Sequence, residues 1–251
     1  ELLWKVPFAH GVATTPLLMD DRLVVVSAQG EVAAVEPKSG KVLWRVAPAG
    51  VLKSIPYIVS PARAAGRVFV ADNTNQILAL SSGDGATLWR KTLTGRANTS
   101  LVVIGEHLVV GTTDRYLNWI AVKTGEIKKR VPLGGIPYGT PVSSGALLFV
   151  LVSTGKSRLV ALDTATGAVR WEQETPKEWS TYRPLVTGSV VIVGNDDNDL
   201  CAFDRADGKR RWCRPVGQTP RGLGISRDGI LYVGSLSGIV QAFRIGSADT
   251  R

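Results

Sequence analysis

The sequence predicts an all-β fold, a six-bladed β-propeller of four-stranded antiparallel blades. Three observations lead there. A motif of Ala, a turn, Gly and then Trp returns about every 40 residues, the length of one four-stranded blade. The segments between its copies are short, β-branched or aromatic, and bounded by Gly, Asp or Asn. Gly is abundant at 27 and Met occurs once, a mix that favours tight turns over helices.

The copies are Ala34 to Trp44, Ala79 to Trp89, Ala161 to Trp171 and Ala202 to Trp212, with Gly40, Gly85, Gly167 and Gly208 in the turns. Ala121 to Lys129 reads as a degenerate copy, two residues shorter and without Trp, and Ala242 to Arg244 as a half copy. The alanines at 34, 79, 121, 161, 202 and 242 are spaced by 45, 42, 40, 41 and 40. Within the fifth unit, Arg183–Thr187, Ser189–Val193, Leu200–Phe203 and Arg210–Arg214 read as strands one to four. The predicted blades are 12–47, 51–93, 96–133, 136–174, 180–216 and 219–245, all in one domain covering 1–251. Residues 1–7 carry Trp4 in a fourth-strand pattern without a blade of its own. They are expected to complete the last blade, closing the ring and removing an open edge.

The pattern Ala-x-Asp-x-x-Thr-Gly-x-x-x-Trp, matched best from Ala161 to Trp171, resembles the docking motif of the PQQ-like (quinoprotein-type) propeller repeats. The resemblance covers nearly the whole chain. It implies that Trp4, Trp44, Trp89, Trp171 and Trp212 are structural, each packing on a neighbouring blade. A large ring with one N–H donor suits such a wedge. The quinone-dependent dehydrogenases of this family are longer, usually eight-bladed, and often carry adjacent cysteines and a calcium-holding carboxylate–amide set. Here Cys201 and Cys213 are twelve positions apart and no calcium set maps onto the chain, so neither quinone cofactor nor metal is expected.

The search for other chemistry is short. Gly194 to Asp199 is rich in oxygen ligands but sits between two strands, as a hairpin turn does. Thr154-Gly155-Lys156-Ser157 lacks the upstream Gly and the following helix of a phosphate loop. Gly222 and Gly224 lack the third Gly of a dinucleotide site. The two histidines, His10 in an inter-blade loop and His107 in a turn, come with no nucleophile elbow. No catalytic residue is therefore expected. The longest aliphatic run, Leu147 to Val152, is far short of the ~20 residues of a membrane helix.

Cys201 and Cys213 fall on consecutive strands joined by a short turn. Register decides between a cross-strand disulfide, suited to an oxidising compartment, and two small buried thiols. The net charge of +9 fits either an acidic partner or a solvated basic surface. The basic residues are scattered, and the densest group, Lys209-Arg210-Arg211 with Arg214, lies in a strand pattern. No nucleic-acid partner is expected.

Function is then expected on a propeller face, where loops from several blades converge. Trp179, Tyr182 and Arg183 share an inter-blade loop. Arg115 and Tyr116 sit in an inserted loop between strands two and three, near an off-motif Trp119. Tyr138 and Arg221 open two first strands. Exposed aromatics and arginine are what interfaces favour, although Trp179 and Tyr182 equally suit a wall-covering role. The leading expectation is a monomeric, non-enzymatic extracytoplasmic scaffold similar to the BamB-type outer-membrane assembly lipoproteins, binding a protein of the cell envelope. Two alternatives are a ligand- or glycan-sensing domain of a larger receptor or kinase, and a small quinoprotein enzyme. The chain starts at Glu1 without an initiator Met or an apolar signal core. That predicts a processed or trimmed chain, and the BamB-type resemblance implies a periplasmic location with outer-membrane anchoring through a removed lipidated Cys.

Overall fold

The computed structural model describes residues 1–8, 11–12, 14–19, 21–28, 30–47, 59–72, 74–175, 177, 181 and 183–245. Among these residues there is no helix, and 23 strands form six antiparallel sheets in chain order. The first sheet holds β1 (Leu17–Leu18), β2 (Leu23–Val26), β3 (Val32–Val35) and β4 (Val42–Val46). The second holds β5 (Ala62–Ala64), β6 (Arg67–Ala71), β7 (Gln76–Ser81) and β8 (Thr87–Thr92). The third holds β9 (Val102–Ile104), β10 (His107–Gly111), β11 (Tyr116–Ala121) and β12 (Ile127–Pro132). The fourth holds β13 (Ile136–Ser144), β14 (Leu147–Ser153), β15 (Ser157–Asp163) and β16 (Val169–Thr175). The fifth holds β17 (Leu185–Val186), β18 (Val190–Gly194), β19 (Asp199–Asp204) and β20 (Arg210–Pro215). The sixth holds β21 (Pro220–Ile225), β22 (Ile230–Ser235) and β23 (Val240–Arg244).

The chain divides into two compact units, Glu1–Pro132 and Leu133–Arg251, of three sheets each. Within each unit, consecutive sheets share a core. Val24, Val26, Val68, Val70, Leu78 and Leu80 join the first two sheets, and Phe69, Ile77, Leu108, Val110 and Ile120 join the next two. In the second unit, Phe149 and Leu151 meet Val191 and Val193, while Ile192 and Leu200 meet Leu231 and Val233. A middle strand covered on both sides is apolar throughout, as β18 is with all five residues buried. Each such side chain contributes about 1.5–3 kcal/mol by leaving water.

The register explains the repeat. In the second sheet Ala79 lies between Phe69 on β6 and Trp89 on β8. The small methyl lets the two rings meet above it, with centroids 5.7 Å apart. Phe149, Ala161 and Trp171 repeat the arrangement in the fourth sheet, again at 5.7 Å. The indole then reaches the next sheet. Trp44 Nε1–H donates to the Ser82 carbonyl at 2.9 Å, Trp89 to Val122 at 2.9 Å and Trp171 to Arg205 at 3.0 Å. Each acceptor stands three residues before a turn glycine, Gly85, Gly125 or Gly208. A Cβ on those glycines would come within 2.6–2.8 Å of the indole, and their φ values are 77°, 72° and 75°. Backbone conformation and ring contact therefore demand glycine at the same position.

Three expectations need correction. The third copy is not shortened. The register puts Trp119, rather than Ala121, opposite Val109 and Lys129, six residues before Gly125 as Ala79 is before Gly85. That sheet exchanges the two sizes. Trp119 fills the centre at 2% exposure, and Lys129 takes the Trp position with its Nζ 5.3 Å from the Trp119 ring centroid. The chain divides into its two units just after this copy. Second, His107 is the first residue of β10, paired with Ile104 and Ala121, because the turn before it is closed by Gly105. Third, residues 1–8 form no strand, and the sixth sheet has three. Trp4 nonetheless makes the docking contact of the repeat: its Nε1–H donates to Pro37 at 2.8 Å, and a Cβ on Gly40 would lie 2.8 Å from its ring. His10, Trp179 and Tyr182 lie outside the described residues.

Gly85→Ala should destabilise the protein by about 2–4 kcal/mol, combining a left-handed L-residue with overpacking against Trp44. Gly105→Ala, at φ 57° with open space around its Cβ position, should cost only about 1–2 kcal/mol. Denaturant unfolding of the two variants separates the cost of the ring contact from that of φ.

Candidate functional site

Five of the six turns between second and third strands follow one design, the shorter Thr154–Lys156 turn of the fourth sheet being the exception. A short polar side chain opens each five-residue turn: Ser27, Asp72, Thr112, Asn195 or Ser235. Its N–H donates to the carbonyl four residues on, and the fourth residue takes positive φ. That fourth residue is Gly30, Asn75, Arg115, Asn198 or Gly238, with φ of 80°, 67°, 73°, 66° and 81°. Glycine and asparagine are the residues that visit this region readily. Arg115 is the exception. The Arg115–Tyr116 loop is accordingly no insertion. It has the same length as its counterparts, and Tyr116 is the first residue of β11. The turn Asn195–Asn198 within the oxygen-rich run is built the same way, with Asn195 Oδ1 accepting from the N–H groups of Asp197 and Asp199 at 3.0 Å each.

A polar network fixes the Arg115 turn. Asp114 accepts from the hydroxyls of Thr112 and Thr94 and from Arg130 Nη2 at 2.6 Å. Arg130 also donates through Nε to Asn118 Oδ1 at 3.1 Å, and its Cζ lies 4.0 Å from the Tyr116 ring centroid. Asn118, 2% exposed, donates on to Thr112 Oγ1 at 3.0 Å. Burial alone would raise the Asp114 pKa. The Thr112 and Thr94 hydroxyls and the Arg130 charge outweigh it and hold the carboxyl below its ordinary value. The linker 94–98 lies against this turn: Thr113 N–H donates to the Arg96 carbonyl at 2.9 Å, and Arg96 N–H to Thr113 Oγ1 at 3.1 Å. Gly95 permits the approach, since a Cβ there would be 2.7 Å from the Asp114 nitrogen. The Arg96 backbone is thus held against the turn that carries Arg115, and both arginines are exposed.

The remaining candidate residues belong to the second unit. Tyr138, half-buried in β13, packs against the core shared by the fourth and fifth sheets, its hydroxyl 3.3 Å from Ser157 Oγ. Arg221 is half-buried in β21, and Arg183 is exposed before β17. Trp212 Nε1 has no acceptor among the described residues. The position three residues beyond Ala242 is Ile245, where the described chain stops. Trp212 thus lacks the N–H contact of the other copies, while its ring packs on the core between the fifth and sixth sheets, the neighbouring-sheet packing expected of it.

Cys201 and Cys213 face each other across β19 and β20 with Cα atoms 4.1 Å apart, and a disulfide joins them. The close separation is that of a non-hydrogen-bonded pair. The bridge borders a cleft of about 480 Å³ whose lining includes Glu174, Lys177, Asp197, Asp199 and Arg210. Two cysteines bridged across a ladder between third and fourth strands do not fit the adjacent pair that the quinone enzymes place over their cofactor. Among the described residues, no cluster of three or more His, Cys, Asp or Glu is arranged to hold a metal ion. Sequence reasoning misses the roles of Arg130, Asp114 and Thr94 and the pairing with Arg96. The signal that exposes Arg115 as the odd residue is an alignment of the turns on their opening Ser, Thr, Asp or Asn.

The family model described as outer membrane protein assembly factor BamB matches residues 1–53, 28–128 and 128–249. A relative of that name from Alkalilimnicola ehrlichii is 35% identical over 175 residues, covering 64% of this chain and 43% of the relative. One from Burkholderia pseudomallei is 26% identical over 256 residues, covering 93% and 63%. This chain therefore spans less than two thirds of the length of these curated relatives. Among solved structures, BamB from Moraxella catarrhalis superposes with a TM-score of 0.72 at 18% identity, over 96% of this chain and 79% of that one. A europium-containing methanol dehydrogenase reaches 0.76 at 13% identity, over 94% and 63%, and speaks for the fold alone.

Two measurements test this geometry. Asp114 has its folded pKa below the unfolded value of about 3.9, so its stabilisation is present above about pH 4 and is lost as pH falls through the folded value. The stability gap between wild type and Asp114→Asn should be largest near neutral pH and shrink as titration proceeds into acid. Replacing both cysteines by Ala should cost ~3 kcal/mol by the loop-entropy relation for a closed loop of this size. Reducing the wild type should lower its thermal midpoint similarly and leave the double variant unchanged.

Proposed function

Because this chain belongs to the outer membrane protein assembly factor BamB family, we propose that it acts as a non-enzymatic scaffold in outer-membrane protein assembly. On this reading it binds a protein component of the assembly machinery of the cell envelope, working as a monomer on the periplasmic side of the outer membrane. On the same reading an N-terminal lipidated Cys anchors it at that membrane.

The observation that carries the proposal is how the charged and polar groups of the turns are used. Asp72, Asp163, Asn195 and Asp204 all accept backbone N–H bonds inside their own turns. They hold the blades rather than face a substrate. The side chains left exposed at turns and linkers include Arg96, Arg115 and Arg183, a type common in interface hot spots. The Cys201–Cys213 disulfide supports an oxidising compartment such as the periplasm. The contact set proposed is Arg115, Tyr116, Tyr138, Trp179, Tyr182, Arg183 and Arg221.

Crosslinking of tagged protein in envelope extract, followed by mass spectrometry, should recover components of the outer-membrane β-barrel assembly machinery. Trp179→Ala combined with Arg183→Ala should lose at least part of that set. Equal recovery by both proteins would remove this contact assignment. Recovery of no assembly component by the wild type would remove the scaffold role. Saturable uptake of PQQ with calcium, seen as a new absorbance band, would overturn the non-enzymatic reading.

A further inference from the structure

We propose that the paired arginines Arg96 and Arg115 form a preorganised site for an acidic segment of the protein partner. The inference rests on the scaffold reading above and specifies the chemistry of its contact in the first unit.

The internal repeats supply the comparison. Four turns of the same length put Gly or Asn at the left-handed position, and the third sheet alone puts Arg there, at φ 73°. An L-residue of this type in that region is disfavoured and persists only where the surroundings over-determine it. Here the surroundings are the network of Asp114, Thr112, Thr94, Asn118 and Arg130, which fixes the turn on both sides of Arg115. Nothing local requires the Arg115 side chain in return. Among the described residues its guanidinium has no hydrogen-bond or ion-pair partner, and the same holds for Arg96. Both are exposed, and two hydrogen bonds through Thr113 hold their loops together. A disfavoured backbone conformation that carries an unengaged cation, beside a second unengaged cation, points to an external anion.

The form of the site favours a carboxylate-bearing peptide. Arg130 is already occupied by Asp114 and stacked on Tyr116, so the free charge is limited to two planar guanidinium groups. Such groups suit the bidentate recognition of single carboxylates. The Asp114 carboxylate in the same turn sets this pair apart from the dense single-sign patch that a phosphate-rich surface selects.

A fluorescently labelled peptide of alternating glutamate and serine, with an asparagine-serine peptide as control, tests the site by anisotropy on the whole chain. Wild type should bind the acidic peptide and lose it as salt rises. Arg115→Gly and Arg96→Ser should each weaken binding roughly fivefold or more, in line with loss of a charge-assisted pair. Arg227→Gly, which removes an equal charge from an exposed turn of the sixth sheet, should change it less than twofold. Arg115→Gly should at the same time raise the thermal midpoint by about 2–4 °C. Equal losses for Arg115→Gly and Arg227→Gly would overturn the site in favour of diffuse charge. An unchanged or lower midpoint for Arg115→Gly would remove the strain argument. Binding of phosphatidylglycerol vesicles, but not of the peptide, through the same two arginines would replace the acidic segment by a lipid surface. These readouts need no assembly machinery. Failure here with intact envelope crosslinking would leave the scaffold reading standing, and the reverse pattern would leave this site without its partner.

Discussion

The structure depends on an indole lying flat on a glycine of the next sheet. Trp4, Trp44, Trp89 and Trp171 each present a ring face to a turn glycine and an N–H to the carbonyl three residues before it. The apolar body supplies buried area and the single donor supplies direction, so sheets dock in one orientation rather than slide. The requirements propagate through the sequence. The turn residue must be glycine on two counts. In the second and fourth sheets the residue at the centre of the third strand is alanine, so that the Trp and a second-strand ring can meet above it. The middle strands must be apolar on both sides because a sheet lies against each.

Much of this is legible in the chain because it is written as spacing. The Ala–Gly–Trp interval, the period near 40 and the strand boundaries of the fifth unit follow from distances along the chain. The third copy misleads for a physical reason. Its letter Ala attracts the motif, whereas the fixed landmark is the glycine that receives the indole. Counting back six from Gly125 lands on Trp119, and counting forward four lands on Lys129. The large ring stands at the centre of the third strand and a lysine faces it from the fourth, which a search for Ala and Trp in fixed places cannot register. The N-terminal segment is legible through Trp4, which makes the docking contact of the repeat on the Pro37–Gly40 turn.

The candidate site is less legible. Arg115 and Tyr116 draw attention by type, as an arginine beside an aromatic. What distinguishes Arg115 is its backbone angle, and that becomes visible only when five turns are laid over one another. Arg96 and Arg130 give no sign in the sequence because their importance is a matter of approach. Gly95 brings one loop against another, and Asp114 holds Arg130 over Tyr116. Tyr138 draws attention in the same way, and the structure adds what its type does not tell, that the ring is half-buried against the core shared by the fourth and fifth sheets.

The disulfide has a bearing on how such a chain matures. Cys201 and Cys213 are the two cysteines of these 251 residues, so within this stretch they have a single pairing. They face each other within one hairpin, twelve residues apart, and the loop to be closed is short. Oxidation therefore asks nothing of the other sheets. The bond can form as soon as that hairpin meets an oxidant, and it then constrains only the segment it spans. The docking tryptophans are left to assemble the rest without covalent help.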